Sequence, residues 1–192
     1  AVGTILSERF GAQDRVISLV NDDADVTGYP LMNRVNLRAG LAGLANAMNP
    51  EDIALVFLTS HGAPGALSTY FDEVITRDIT PDDIQGALEE AGIGNAIIIL
   101  PACYSGSFAE RLAAPNRLVL TGADAESVAF GCADKNEWTA WGRAFFVDAL
   151  GETFDFRKAA RLARARVTKR EKEEGVPPSS PQILEGAAIV RI

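Results

Sequence analysis

The sequence predicts an α/β fold, with a mostly parallel central sheet and helices packed on both of its faces. Three observations carry that expectation. Short, nearly uninterrupted apolar runs such as "IALVFLTS" (53–60) and "AIIIL" (96–100) read as strands buried on both sides. Between such runs lie segments whose apolar residues recur at the spacing of a helix face. Strands alternating with helices in this way imply crossover connections, which a parallel sheet requires. The 192 residues, 47% of them hydrophobic, suit one domain spanning 1–192 with a sizeable core.

The elements follow in order. The β-branched "VISLVN" (16–21) reads as a short strand. In "NLRAGLAGLANAM" (36–48), Leu37, Leu41, Leu44 and Met48 form one helical face. The strand at 53–60 comes next. "TPDDIQGALEEAG" has Thr80 as N-cap, Pro81 at the first position, acids in the first turn and Gly92 at its end, which are helix start and stop signals. The strand at 96–100 leads into a helix over "SGSFAERLA", and "RLVLTGA" is a fourth strand. "WTAWGRAFFVDAL" is helical. In the basic helix after it, Phe156, Ala160, Ala163 and Val167 keep one apolar stripe. "AAIVRI" is expected to be the last strand, after a proline-bearing loop, "KEEGVPPSSPQ".

Charge and cysteine usage narrow the function classes. The net charge of −8 is uneven: 9 Lys/Arg face 20 Asp/Glu through Gly151, against 9 and 6 from Glu152 onward. The apolar stripe accounts for the basic helix, and so acidic a domain is a poor polyanion binder, so nucleic acid is not the expected partner. No apolar run approaches the length of a membrane span, and no targeting segment is visible in this chain. Two Cys and one His do not supply a tetrahedral zinc site by themselves. No metal or organic cofactor is implied.

In parallel α/β sheets, function collects in the loops at the carboxyl ends of the strands. Two such loops here carry reactive residues. One strand runs into His61 and Gly62, the only histidine of the chain and its neighbour, and another into Pro101, Ala102 and Cys103. Neighbouring strand ends lie about 5 Å apart, which brings the two loops within reach of each other. An imidazole beside a thiol can activate it as a nucleophile and then return the proton to a leaving group. The amides of Gly62 and Cys103 are the natural donors to an oxyanion, and the turn "SGS" places a helix start behind the thiol. Each residue also has a plain reading, His61 as a satisfied polar group and Cys103 as packing. On chemistry alone both readings stay open.

The two loops resemble those of a known family. "LVFLTSHGAPG", followed some forty residues later by "IIILPACYSGSF", resembles the motifs of the legumain-like cysteine peptidases. "FGCADKNEWTAWGRAFF" and "SSPQILEGAAIV" are similar to the bacterial branch of that family, and "ILSERFGAQDRVISLVNDDA" is similar to its first helix and second strand. The resemblance implies a caspase-like three-layer sandwich, with Cys103 as nucleophile, His61 as general base, and Gly62 with the Cys103 amide as the oxyanion hole. It implies a peptide or protein substrate and an acyl-enzyme thioester, hydrolysed by water or passed to an amine. Relatives that cleave after asparagine carry an acid two positions before the cysteine, where this chain has Pro101. Asp134 falls near a second pocket acid. The family's first strand, expected before Ile5, has no counterpart in this chain. An inactive scaffold module of the same fold, or a precursor that matures by cutting itself, is the alternative.

Other candidates rank below these. Residues 127–129, Ser127 among them, are expected to lie along a substrate as an edge strand. The acidic loop from Asp23 begins like a calcium loop, but Arg34 stands where a bidentate Glu belongs. Cys132, Trp138 and Trp141 read as packing.

Overall fold

The computed structural model describes residues 1–192 except 25–26, 73, 75–76, 132–137 and 190–192. In chain order the elements are α1 (Val2–Phe10), α2 (Arg34–Ala47), β1 (Ala54–Phe57), the small hairpin β2 (Gly62–Ala63) and β3 (Ala66–Leu67), α3 (Pro81–Glu90) and β4 (Ala96–Leu100). A 3-10 turn at Ser105–Phe108 then leads into α4 (Ala109–Leu112), followed by β5 (Arg117–Thr121). Next come α5 (Ala140–Gly142), a π-helical stretch at Arg143–Ala149, α6 (Leu150–Glu152), α7 (Phe156–Glu174) and β6 (Ile183–Glu185).

The main sheet has the order β1-β4-β5-β6. β4 pairs in parallel with β1 on one side and β5 on the other, while β6 closes on β5 antiparallel. Every residue of β4 and β5 is buried, as expected of parallel strands covered on both faces. Side-chain alternation sorts the sheet into two cores. Ala96, Ile98, Leu100 and Val119 face one layer, with Leu37 and Leu41 of α2, Ile84 and Leu88 of α3, and Phe108. Ile97, Ile99, Leu118 and Leu120 face the other, against Trp141, Phe145 and Phe146 and the Phe156–Ala160–Ala163–Val167 stripe of α7.

The predicted helix signals are met in detail. Thr80 and Asp83 form a reciprocal capping box with Pro81 in the first turn, and Gly92 follows the helix at φ +70°. Burial pushes the Asp83 carboxyl up, but bonds from the Thr80 hydroxyl and amide and the charges of Arg34 and Arg77 outweigh it and hold the group below its ordinary value. Asn33 caps α2 and Asp155 caps α7, which ends at Gly175 in the left-handed region.

Two predicted strands differ. Residues 16–21 form no strand: the Val20 amide bonds to Pro30 O at 3.0 Å, and the Asn21 side chain bonds to Met32 and Thr69. The β-branched pattern is present, but its backbone partners lie in a loop rather than in a sheet ladder. The last strand is Ile183–Glu185 rather than "AAIVRI"; Ala187 and Ala188 lie in a turn, and 190–192 fall outside the described residues. Gly186, the next residue, lies with its backbone against Ala114 and Pro115, where a Cβ would come within 2.2 Å of a carbonyl oxygen. The segment expected as helix from Trp138 starts at Ala140, capped by Thr139, and widens to a π-helix over 143–149. Trp141 is buried and stacked on Phe145 at 4.8 Å, as a packing residue should be.

Candidate active site

The site lies at the carboxyl ends of β1 and β4. These are adjacent parallel strands in register from Ala54–Ala96 to Phe57–Ile99, so the loops that leave them start side by side. The β1 loop passes His61, which is exposed, and turns back as the β2–β3 hairpin through Pro64 and Gly65, with Gly65 at φ +71°. Ser60 Oγ and the His61 carbonyl both bond to Ser68, at 2.5 and 2.9 Å, and hold the base of that hairpin. The β4 loop runs through the buried Pro101 and Ala102 to Cys103, a free, half-buried thiol.

Gly62 brings the two loops into contact. A Cβ there would stand 2.0 Å from Cys103 O, 3.0 Å from its carbonyl carbon and 3.2 Å from its nitrogen. Only a residue without a side chain allows this approach. His61 is therefore held one residue from the point where its loop touches the Cys103 backbone.

The Cys103 loop is built on hydroxyls that sequence reasoning missed. Ser105 is fully buried; its Oγ donates to Ala102 O at 2.7 Å and accepts from the amides of Gly122 and Ala123 at 3.2 and 3.3 Å. Ser107 Oγ donates to Tyr104 O at 2.6 Å and accepts from Gly65 N–H at 2.9 Å, linking the thiol loop to the hairpin beyond His61. Just before the two serines, Tyr104 is left-handed, at φ +54°. Gly106 lets the turn lie against the backbone of residues 124–125, where a Cβ would meet Asp124 at 2.5 Å. The available signal is the small polar triplet "SGS" in the loop that follows a wholly apolar strand, which by itself points only to a helix start.

A third strand end completes the arrangement. After β5 the chain passes Asp124 and runs beside the thiol: Tyr104 N–H donates to Ser127 O at 2.8 Å, and Ala129 N–H points to Cys103 Sγ at 3.3 Å. Residues 127–129 are not a strand but a loop segment tied to Cys103 and Tyr104, with Val128 57% exposed and its neighbour Ala129 buried. Asp124 orders this loop. Its carboxylate accepts from Glu126 N–H at 2.9 Å, and that bond, aided by Ser127 and Ser180 against a burial effect, holds its pKa below the ordinary value. The Asp124 amide in turn bonds to Ser179 O at 2.9 Å.

The structure thus sets Gly62, the neighbour of His61, against the Cys103 backbone and ties Ser127 to Tyr104, the residue after the thiol. Pro101 lies before the thiol, its Cα 2.9 Å from where a Gly122 Cβ would be, in place of any charge. Asp134 and Cys132 lie outside the described residues. Among the described residues no helix is long and apolar enough to cross a membrane.

No curated protein sequence matches the chain. Among solved structures it is similar to caspase-1 from Spodoptera frugiperda, with a TM-score of 0.60 and 14% identity over 99% of this chain and 78% of that one. At that identity the likeness shows the fold alone, and the fold is caspase-like. Residues 33–185 match the model of the Peptidase C13 family, a span that holds β1, β4, β5, β6 and both candidate loops. The chain belongs to the Peptidase C13 family, the legumain family of cysteine peptidases.

Proposed function

We propose that the chain is a cysteine endopeptidase in which Cys103 and His61 form a catalytic dyad. The observation that carries the reading is the backbone contact of Gly62 with Cys103, which joins the histidine loop to the thiol loop at adjacent strand ends. Cys103 Sγ attacks the scissile carbonyl while His61 takes the thiol proton. The Gly62 and Cys103 amides stabilise the oxyanion that forms. On collapse the C–N bond breaks, His61 gives its proton to the departing amine, and a thioester remains. Water, deprotonated by His61, attacks the thioester and releases the acid and the thiol; an amine in place of water gives transpeptidation.

Substrate backbone runs beside residues 127–129, whose exposed Val128 marks the open side. Pro101 leaves the pocket for the residue before the scissile bond without a carboxylate from this loop. Asp134 is the acid proposed to select a basic or amide side chain.

Digestion of a mixed peptide library, read by mass spectrometry, tests this. Wild type is expected to cut, and Cys103→Ala and His61→Ala each to lose at least about 10³-fold in rate with unchanged melting temperatures. Substantial cleavage by Cys103→Ala ends the proposal. A silent wild type that binds peptides without cutting them supports the scaffold reading instead.

A further inference from the structure

Between α7 and the π-helical stretch lies a half-open cavity of about 100 Å³, lined by Arg143, Arg166, Arg170 and Asp148 over an apolar floor that includes Ala144 and Val167. Three guanidinium groups and one carboxylate leave the lining net positive. Their existing partners do not use up their donors. Arg166 bonds through Nη2 to Glu152 at 2.5 Å, while its Nη1 is buried with no hydrogen-bond partner. Arg170 bonds through Nε to Glu174 at 2.7 Å, leaving both terminal nitrogens. Arg143 has no carboxylate partner among the described residues.

We propose that this cavity is a phosphate site. Guanidinium groups recognise such oxyanions by paired N–H···O bonds. Asp148 gives the site its selectivity, because an ionised carboxylate is an acceptor only. It repels a fully deprotonated oxyanion and bonds to one that keeps a proton. Near neutral pH inorganic phosphate keeps a proton; sulfate has none, and a phosphate monoester, with its second pKa near 6, has mostly lost its own.

The site also reaches the loop beside the thiol. The Arg170 guanidinium carbon lies 5.2 Å from the ring centre of Phe130, and Ala140, in the cavity wall, donates its amide to Phe130 O at 3.3 Å. Phe130 follows Ala129, whose amide meets Cys103 Sγ. Phosphate that orders Arg170 therefore steadies residues 127–131.

Calorimetric titration of the whole chain with sodium phosphate, sodium sulfate and glycerol phosphate, at pH 7 and constant low ionic strength, tests the site without reference to peptidase activity. Phosphate is expected to bind saturably and more tightly than sulfate. Arg143→Ala should weaken it at least about tenfold, and Asp148→Asn should abolish the preference over sulfate. Phosphate is expected to bind more tightly than glycerol phosphate, which identifies the free anion as the ligand; the reverse order overturns the selectivity assigned to Asp148 and identifies a phosphorylated molecule. Amide hydrogen exchange at residues 127–131 should slow on phosphate addition. No saturable binding, or binding unchanged in Arg143→Ala, overturns the proposal, as does binding with equal affinity for phosphate and sulfate in wild type.

Discussion

The two loops that meet at the site are held in different ways. The Cys103 loop is fixed from below by a buried hydroxyl with three backbone partners, from one side by Ser107, and from the other by residues 127–129. The His61 loop is a two-residue ladder closed by a Pro–Gly turn, and its histidine is exposed. The difference fits the demands of the two proposed roles. A nucleophile must be held within a fraction of an ångström of its target, whereas a base must move a proton between partners on either side of an intermediate. The closest tie between the rigid and the light element is Gly62, with the Gly65 N–H to Ser107 Oγ bond as the second.

Breaking that tie should have the largest effect after loss of the dyad itself. Gly62→Ala drives a Cβ into the Cys103 carbonyl, so the loops must part; peptide hydrolysis is expected to fall about 100-fold or more. The melting temperature should drop by only a few degrees, because the hairpin yields before the sheet does. A variant with wild-type kcat/KM would show that the contact has no bearing on the chemistry.

Loosening the rigid side is the next test. Ser105→Ala leaves the amides of Gly122 and Ala123 and the Ala102 carbonyl without their shared partner, at a cost of about 1–3 kcal/mol. In a domain of this size that is about 2–4 °C of melting temperature per kcal/mol. Activity should fall mainly through kcat. An unchanged melting curve would mean that solvent replaces the hydroxyl.

The smallest effect is expected at the third loop. The Asp124 carboxyl has a lowered pKa in the folded protein, so its stabilisation is complete above the ordinary value of 3.8 and is lost as pH falls through the lowered one. Asp124→Asn should lower the melting temperature slightly at neutral pH and make its decline below about pH 4 shallower than in wild type. Parallel acid limbs for the two proteins would remove Asp124 from the ordering of residues 124–127.

Legibility in the sequence followed the range of the interactions. The buried strands and the Thr80 box announce themselves within a few residues, since burial and capping are local demands. His61 and Cys103 were visible because each stands alone of its kind beside a strand end. Ser105 and Ser107 were not, because a hydroxyl's partners at Gly122 and Gly65 are tertiary and leave no periodic mark. The failed strand at 16–21 makes the same point in reverse: β-branched residues favour extended backbone, but a ladder also requires a neighbour. The true last strand, "ILE", hid because it is three residues long and ends in Glu185, which pairs with Arg157 instead of joining an apolar run.

Tyr104 holds one more consequence. A tyrosine at φ +54° carries about 1–2 kcal/mol that a glycine would not, and the turn stays wound because hydrogen bonds on both flanks outvote the residue's own preference. The fold thus keeps a small spring under the Cys103 sulfur. Tyr104→Gly would let it uncoil into many shapes: the gain in local comfort is set against the chain entropy that glycine adds to the unfolded state, so stability should hardly move while turnover falls. A protein tuned only for endurance would have placed an easier residue there.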